Sequence, residues 1–396
     1  MLKAFRYRLY PTKEQKVLLE KHFGCSRFIY NWGLERKTKH YKETQKSMSC
    51  NELVKSLVPM KQELPWLAEV NSQSLQMALR NLDNAFTNFF NKRADFPRFR
   101  NRRGRQSFQC PQKTRVDFEA GLLHLLKIPN IKCVFHRRFE GKIKTATISR
   151  VPSGKYFASI LVETHEELPE KPTIKSGLQV GIDLGLKDFA TLSTGEKIAH
   201  PKHLKRSLRN LKIAQHKFGK KPKTDSKRRE KAKKRVARLY ERVKNQRDDF
   251  LHKLTHRLCH ENQVSTYVLE TLSVKNMSKN HKLAQAVMDS GWSRFGEMME
   301  YKSDWYGKNL VRIGRFEPSS KVCSACGCIK RDLTLSDREW TCPDCHAEHD
   351  RDVNAAINIK DFGLRNVGKD QPELTLGETV PLGTSMNREA TGLAPS

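Results

Sequence analysis

The sequence predicts an α+β protein of several domains, because segments with strand periodicity alternate with long helical segments along its 396 residues. Short apolar runs at 178–182, 189–192 and 264–269 are typical of buried strands. Apolar residues at helical spacing between 72 and 92 predict a packed amphipathic helix. Two C-x-x-C pairs between 323 and 345 indicate a small metal-binding unit. A chain of this length can form two or three domains.

The charge balance predicts a polyanionic partner. The 75 Lys and Arg residues exceed the 43 Asp and Glu residues and give a formal net charge of +32. Nucleic acid is the usual partner of such a surface. A membrane surface is the alternative, but no apolar run approaches the ~20 residues that span a bilayer. The N-terminus also lacks a signal-peptide core. We therefore expect a cytoplasmic protein without a membrane partner.

The N-terminal half predicts a sheet interrupted by helices. Residues 1–10 alternate as a strand does, with Pro11 ending the pattern. Three later strands are expected, at 122–128, 142–150 and 156–163. We expect the first strand to join this sheet, so that residues 11–95 form a helical insertion into a β-barrel-like domain made of 1–10 and 96–176. Within it, the Pro- and Glu-rich segment 166–176 is interpreted as a linker.

The sequence of the insertion, residues 11–95, predicts consecutive helices. Thr12 and Gln15 form a capping box at the first one. Further helices are predicted at 25–44, 51–64 and 72–92. The last begins after Asn71 and leaves a polar first turn that is a candidate for contacts with base edges or phosphates. The residues of this turn are Ser72, Gln73 and Gln76.

Two basic segments are candidate nucleic-acid contacts. Arginine and phenylalanine alternate from Phe96 to Phe108, which is typical of RNA or single-strand binding. A solvated loop is the alternative, but Phe96, Phe99 and Phe108 disfavour it. Segment 202–247 predicts two basic helices with a break near 219–222, and its dominance by one sign of charge favours a bound duplex over a solvated face. The candidate contacts are Arg98, Arg100, Arg102, Arg103, Arg105, Lys227, Arg228, Lys234 and Arg235.

The clustered cysteines predict a structural zinc site. Each C-x-x-C can form a turn that presents two thiolates, and two such turns complete a tetrahedral site without an open position. The predicted ligands are Cys323, Cys326, Cys342 and Cys345. Cys328 is spare, and His346 or His349 could replace one ligand.

Three acids that are far apart in the sequence lie at the ends of predicted strands or at the start of a predicted helix. Asp183 and Glu270 each end a strand, and Asp352 opens a helix. A turn aspartate and acids that complement a helix dipole are the alternatives. If the strands share one sheet, the carboxylates converge, and their repulsion implies bound cations. Oxygen ligands favour Mg²⁺ or Mn²⁺, and two such ions can clamp a phosphodiester, with Asp183 bridging both.

Taken together, these segments resemble the TnpB (OrfB) family, encoded by bacterial insertion sequences and related to type V CRISPR effector nucleases. The resemblance covers nearly the whole chain except its C-terminal tail. The matching motifs are R-L-Y-P at 8–11, F-P-R-F-R at 96–100, G-I-D-L-G-L-K-D-F-A at 181–190, L-E-T-L at 269–272, G-W with Y-K-S-D-W-Y-G at 291–307, P-S-S-K-V-C-S-A-C-G at 318–327 and H-D-R-D-V-N-A-A-I-N-I at 349–359.

The resemblance implies an RNA-guided DNA endonuclease in a bacterial or archaeal cytoplasm. A guide (ωRNA) from the transposon end would pair with one strand of double-stranded target DNA, while the N-terminal domains read a short adjacent motif. Its catalytic acids fall on Asp183, Glu270 and Asp352, which would bind Mg²⁺ or Mn²⁺. Its zinc ligands fall on the four cysteines named above. A monomer is slightly favoured.

The same resemblance implies a domain order. The implied domains are a wedge-like β-barrel (1–10 and 96–176), a helical recognition domain (11–95), an RNase H-like RuvC nuclease domain (177–317 and 348–363), an inserted zinc ribbon (318–347) and a disordered tail (364–396). An RNA-guided or plain DNA-binding regulator that does not cut is the alternative function, and the three intact acids disfavour it. A transposase that joins strands with the same acids is the third interpretation.

Overall fold

The computed structural model describes residues 1–367 apart from positions 176, 223, 225, 316 and 335. These residues form two compact units, which are Met1–Glu166 and residues 167–367. Among the described residues, each helix is too short or too polar to span a lipid bilayer.

The first unit contains one sheet of seven strands. Its strands are β1 (Leu2–Tyr10), β2 (Gln106–Cys110), β3 (Arg115–Asp117), β4 (Leu122–Leu125), β5 (Ile128–Val134), β6 (Lys142–Arg150) and β7 (Tyr156–Glu163). Their order is β2-β6-β7-β1-β5-β4-β3, and β1 is antiparallel to both neighbours. The N-terminal strand therefore joins the later sheet, as predicted, because Tyr7 and Leu9 alternate into its core. The sheet curls but keeps β2 and β3 as edges, so it is not a closed barrel.

The strand prediction at 122–128 was wrong. The chain turns within it, and Leu125 pairs with Ile128 across the hairpin that joins β4 to β5. Lys127 adopts a left-handed conformation with φ of 67° in this turn. A lysine does not signal that conformation, because glycine and asparagine are the residues that usually adopt it.

The helices of the first unit differ from the predicted ones in their breaks. They are α1 (Lys13–Thr44), α2 (Cys50–Lys55), α3 (Leu57–Glu63) and α4 (Ser72–Phe90), with a 3₁₀ turn at Pro65–Glu69. The Thr12–Gln15 capping box is present. One helix continues through Cys25, and the predicted helix at 51–64 is interrupted at Ser56. Pro59 lacks an amide hydrogen and is tolerated only in a first helical turn, so the helix restarts at Leu57.

The second unit is built on a mixed sheet of five strands. They are β8 (Leu178–Leu184), β9 (Asp188–Leu192), β10 (Lys197–Ala199), β11 (Val264–Glu270) and β12 (Asn309–Ile313). The order is β10-β9-β8-β11-β12, with β11 parallel to β8 and β12 and the other pairs antiparallel. A separate pair consists of β13 (Glu339–Thr341) and β14 (Glu348–Asp350).

Helices cover both faces of this sheet. They are α5 (His203–Gly219), α6 (Ser226–Cys259), α7 (Val274–Met277), α8 (Ala284–Ser290), α9 (Trp292–Trp305) and α10 (Arg351–Asn366). Side chains alternate along β11, so Tyr267 packs with the α6–α9 core whereas Val268 packs with Ile359 of α10. The predicted break between two basic helices is confirmed between α5 and α6.

Two predicted boundaries shift. The segment interpreted as a linker of the first domain belongs to the second unit from Glu167 onward. The carbonyls of Pro172 and Ile174 accept hydrogen bonds from Asn309 and Thr266, each at 2.8 Å. At the other end, α10 continues to Asn366, past the predicted start of the tail at 364. The remainder of the predicted disordered tail, 368–396, lies outside the described residues.

Candidate active site

Asp183 is the penultimate residue of β8 and Glu270 the last residue of β11, and these two strands are parallel neighbours. Ile182 of β8 pairs with Leu269 of β11, so the next residue along each strand is one of the two acids. Parallel strands end at the same edge of a sheet, which places the two acids side by side. Both residues are partly buried.

The third acid reaches this edge because α10 crosses the sheet closely. A Cβ atom on Gly181 of β8 would lie 2.0 Å from the carbonyl oxygen of Ala356. One on Gly363 of α10 would lie 2.4 Å from Cγ1 of Val268. Only glycine fits at these two crossing points, and the close approach brings the first turn of α10, with Asp352, toward the strand ends. Glycine immediately before the I-D pair is the sequence signal for this contact, and pattern reasoning missed it.

The electrostatics show that Asp352 and Glu270 both act on Asp183. Burial first, and then the charges of Asp352 and Glu270, raise the pKa of Asp183 to about 7, while Arg351 opposes them. Burial also raises the pKa of Glu270. Three residues from distant segments, predicted from sequence to converge, are therefore brought to one edge of the sheet.

The other acid of this turn, Asp350, has a structural role. Its Oδ1 accepts the backbone N–H groups of Asp352 and Val353, both at 3.1 Å, which caps α10. Its Oδ2 pairs with Lys197 Nζ at 2.5 Å. The helix-capping interpretation thus holds for Asp350. Asp352 instead lies 3.4 Å from the guanidinium of Arg338.

The three acids fit a hard divalent cation. They offer only oxygen ligands, which Mg²⁺ and Mn²⁺ prefer. Their mutual repulsion at a partly buried position is relieved by a bound cation. Among the described residues they do not form a group as compact as the four thiols described next.

Four cysteine thiols form the second candidate metal centre. The sulfur atoms of Cys323, Cys326, Cys342 and Cys345 all lie within 4.8 Å of one another. Two pairs, Cys323–Cys345 and Cys326–Cys342, are each separated by 3.6 Å. A Zn–S bond of ~2.3 Å in a tetrahedron separates sulfurs by about 3.8 Å, so the group fits zinc.

Backbone geometry favours the thiolate at one of the four cysteines. The N–H groups of Cys345 and Asp344 lower the pKa of the Cys342 thiol to about 6, whereas hydrogen bonds with neighbouring thiols outweigh the backbone N–H groups and raise the pKa of Cys326 and Cys345. In each turn the chain bends back on itself, because Gly327 N–H donates to Cys323 O and His346 N–H to Cys342 O. His349 Nε2 lies 3.0 Å from Cys323 Sγ, beside the four thiols.

Comparison with known proteins places these sites in a family. Residues 159–281 match the OrfB_IS605 profile, described as "Probable transposase", and residues 292–359 match the "Cas12f1-like, TNB domain" profile. Residues 1–46 match the "Helix-turn-helix domain" of the same OrfB family. A Streptomyces pristinaespiralis protein named "Putative RNA-guided DNA endonuclease" is 43% identical over 91% of this chain and 89% of its own length. The chain belongs to the TnpB (OrfB) family.

Another TnpB-family relative and a solved structure extend the match. The Escherichia coli K12 protein "Putative RNA-guided DNA endonuclease InsQ" is 30% identical and covers 98% of both chains. The chain in a cryo-EM structure of a Cas12f1–sgRNA–target DNA complex superposes with a TM-score of 0.55. That match has 12% identity and covers 91% of this chain and 98% of the other, so it shows a shared fold.

The polar first turn of α4 makes contacts within the first unit of this TnpB-family chain. Ser72 Oγ accepts a hydrogen bond from Lys61 Nζ at 2.7 Å, and Gln73 Nε2 donates one to Gln112 at 2.5 Å. Gln76 is partly buried. The assignment of these three residues to nucleic-acid contact stays a prediction.

The predicted contacts of the arginine loop are all exposed: Arg98, Arg100, Arg102, Arg103 and Arg105. One of them is also held by a ring, because the Arg100 guanidinium stacks 3.6 Å from the centroid of the Tyr30 ring. Phe108 is 3% exposed and belongs to the sheet core, so its predicted place among the binding aromatics was wrong. Phe96 and Phe99 remain exposed.

The basic helices carry two grooves. One groove of about 500 Å³ is lined by Lys227, Lys231, Lys234 and Arg238 together with Glu230. Because these cations are spaced by four, three and four residues, they share one face of α6. Arg235 lines a second groove of about 220 Å³ with Asn210 and Lys217 of α5. Arg228 is exposed outside both grooves.

Proposed function

We propose that this chain is an RNA-guided DNA endonuclease encoded by an insertion sequence. The observation that carries the proposal is the convergence of Asp183, Glu270 and Asp352 at one edge of the sheet, where each of the other two acids raises the pKa of Asp183. Family membership supports it, because relatives covering most of the chain carry the name "Putative RNA-guided DNA endonuclease".

The domain assignment follows from the same family. The mixed sheet with acids on adjacent parallel strands supports an RNase H-like RuvC domain over 177–317 and 348–363. The thiol cluster supports a zinc ribbon at 318–347, whose sheet extends to Asp350 through β14. The curled sheet supports a wedge-like domain, and α1–α4 support a helical recognition domain over 11–95.

Each acid has a part in the proposed cleavage. Asp183, Glu270 and Asp352 would hold Mg²⁺ or Mn²⁺, and Asp183 would be the ligand whose charge both other acids influence. When bound, such ions generate a hydroxide nucleophile and stabilise the leaving 3′ oxygen of the DNA strand. With a pKa of about 7, Asp183 is half protonated near neutral pH and must release its proton to become a ligand.

The basic surfaces would bind the guide RNA and its DNA target. The four cations of the α6 groove extend over twelve residues, or about 17 Å of helix, which matches several successive phosphates of one strand. The exposed arginines and phenylalanines after α4 are suited to unpaired nucleotides. In this arrangement base pairing reads the target and the protein reads a short flanking motif. A monomer is the simplest assembly.

Sequencing the RNA that co-purifies with the full chain tests the guided function. We expect a defined transcript from the transposon end, and cleavage of a matched plasmid in Mg²⁺ that the Asp183→Ala variant lacks. Random cellular RNA would contradict the guided interpretation. A defined transcript without cleavage by the wild type would favour the non-cutting regulator.

A second experiment tests the groove. Lys227, Lys231 and Lys234 are replaced together by Gln in one variant and by Arg in another. The Gln variant should reduce the slope of log affinity for the guide RNA against log salt concentration by about 0.7–0.9 per lost phosphate contact. The Arg variant keeps the charge and should keep the slope. Equal slopes in all three proteins would contradict a role for this groove.

A further inference from the structure

Two buried asparagines join α10 to residues 318–347, which contain the four thiols and are called the cysteine segment. Asn354 and Asn358 are 1% and 3% exposed and lie one turn apart on the same face of the helix. Both side chains form hydrogen bonds with the backbone of residues 319–324. These residues precede and begin the first C-x-x-C turn. Neither residue is a candidate metal ligand.

The bonds are short and use both ends of the first amide. Asn354 Oδ1 accepts the N–H of Ser324 at 2.9 Å, and its Nδ2 donates to the carbonyl of Val322 at 2.7 Å. Asn358 Nδ2 donates to Val322 at 2.6 Å and to Ser319 at 2.7 Å. A buried amide without partners is costly. The turn that holds Cys323 and the helix that holds Asp352 are therefore constrained to move together.

The chain itself makes a second connection. Asp350 is both the last residue of β14, which pairs with β13 of the cysteine segment, and the cap of α10. His349, one residue earlier, lies beside Cys323 and 4.7 Å from the ring centroid of Trp340. The first turn of α10 thus begins directly from the residues packed around the thiols, and Asp352 is its second residue.

We propose that Asn354 and Asn358 are positioning residues that transmit the geometry of the thiol cluster to Asp352 and so set the affinity of the acid site for divalent cations. The inference rests on the proposed function, since it assumes that Asp352 is a ligand. It gives the cysteine segment a role in assembling the acid site. Asp352 of that site follows Cys326 by 26 residues in the sequence.

A purely structural role would have a different signature. Replacing any buried asparagine lowers stability, whatever it is connected to. Asn309 is a matched control, because it is 8% exposed and donates to the carbonyl of Pro172 at 2.8 Å in the same unit. It lies at the opposite end of β12 from Ile313, the residue that pairs with Glu270.

The experiment compares four full-length, zinc-loaded, RNA-free proteins. These are the wild type, the double variant N354A/N358A, the control N309A and the reference D352A. Calorimetry measures the affinity for Mn²⁺, and mass spectrometry measures bound zinc. Urea titration gives the unfolding midpoint of each protein. We expect N354A/N358A to keep one zinc and to bind Mn²⁺ between about threefold and thirtyfold more weakly, toward the value of D352A. N309A should lose stability but keep wild-type Mn²⁺ affinity.

Three results would overturn the inference. Wild-type Mn²⁺ affinity in N354A/N358A would show that the asparagines only stabilise the fold. Equal weakening in N309A would make the effect one of general stability. Loss of zinc from N354A/N358A would place their action on the thiols rather than on Asp352. Failure of the wild type to bind Mn²⁺ would instead contradict the proposed function itself.

Discussion

The thiol cluster and the acid cluster are two candidate metal centres in one unit, and they are assembled in opposite ways. The thiols come from residues 323–345, and two local turns bring their sulfurs within 4.8 Å. The acids come from residues 183, 270 and 352, and they meet only through strand register and a helix crossing. One site is closed by four ligands, whereas the other has carboxylates at an open sheet edge.

The two sites also differ in how the protein treats charge. At the thiols, backbone N–H groups lower the pKa of Cys342 to about 6, whereas hydrogen bonds with neighbouring thiols raise the pKa of Cys326 and Cys345. At the acids, burial and like charges raise the pKa of Asp183 to about 7, which disfavours the carboxylate in the absence of a cation. The thiol site therefore favours the charged form of one ligand, whereas the acid site disfavours the charged form of Asp183.

The Asp183→Asn variant should separate the two sites most strongly. The amide keeps the size of the side chain but loses the negative charge, so we expect guided plasmid cleavage to fall at least about a thousandfold. Bound zinc, measured by mass spectrometry, should stay at one per chain. Asp304→Asn serves as the matched control, because Asp304 is a half-buried acid of the same unit that pairs with Lys171 away from the three acids. Cleavage at the wild-type rate by Asp183→Asn would contradict a role for the acid site in cleavage.

The Cys342→Ser variant should act on the other site. Losing one of four thiolate ligands should release the zinc and unfold β13 and β14, because metal binding and folding are coupled in such small units. Cys328→Ser, in the same segment but outside the group of four, should keep its zinc. Zinc content measures the release of the metal, and amide hydrogen exchange over 318–350 measures the unfolding of β13 and β14 in each variant. Retention of zinc by Cys342→Ser, or its loss from Cys328→Ser, would show that the ligand set is different.

The Gly181→Ala variant should break the assembly of the acid site without touching an acid. Its Cβ would lie 2.0 Å from the carbonyl of Ala356, so α10 must move away from β8, at a cost of about 1–3 kcal/mol or more. Urea unfolding and Mn²⁺ calorimetry should both respond. Gly219→Ala is the control, since no atom lies within 4 Å of the added carbon. Unchanged stability and Mn²⁺ binding in Gly181→Ala would argue against close crossing as the cause of convergence.

A pH series should sharpen the electrostatic difference. Because the pKa of Asp183 is raised on folding, the native state holds a proton that the unfolded chain has already lost between about pH 4 and 7. In Mg²⁺-free buffer the wild type should therefore lose stability over this range relative to Asp183→Asn. The gap should widen by about 2–3 kcal/mol in urea unfolding between pH 5 and 8. Added Mn²⁺ should close it. A gap independent of pH would contradict the repulsive cluster.

The elements with strong local signals were predicted well. The Thr12–Gln15 capping box, the break after Gly219 and the C-x-x-C pairs each depend on residues close together in sequence. The strand at 122–128 was predicted wrongly because Lys127 gives no sign that the chain turns there. The interruption at Ser56 had a local cause in Pro59, which the apolar pattern concealed.

One can read from the sequence alone the candidate acids and thiols, the ordered motifs of the TnpB family and a net charge that favours a polyanionic partner. The fold was needed to show that Ile182 pairs with Leu269, that α10 crosses closely at Gly181, and that Asn354 and Asn358 form hydrogen bonds from α10 to residues 319–324. The difference arises from how far apart in the chain the interacting residues are. Caps and C-x-x-C turns close within a few residues, whereas register and helix crossing depend on the packing of segments that are distant in the chain.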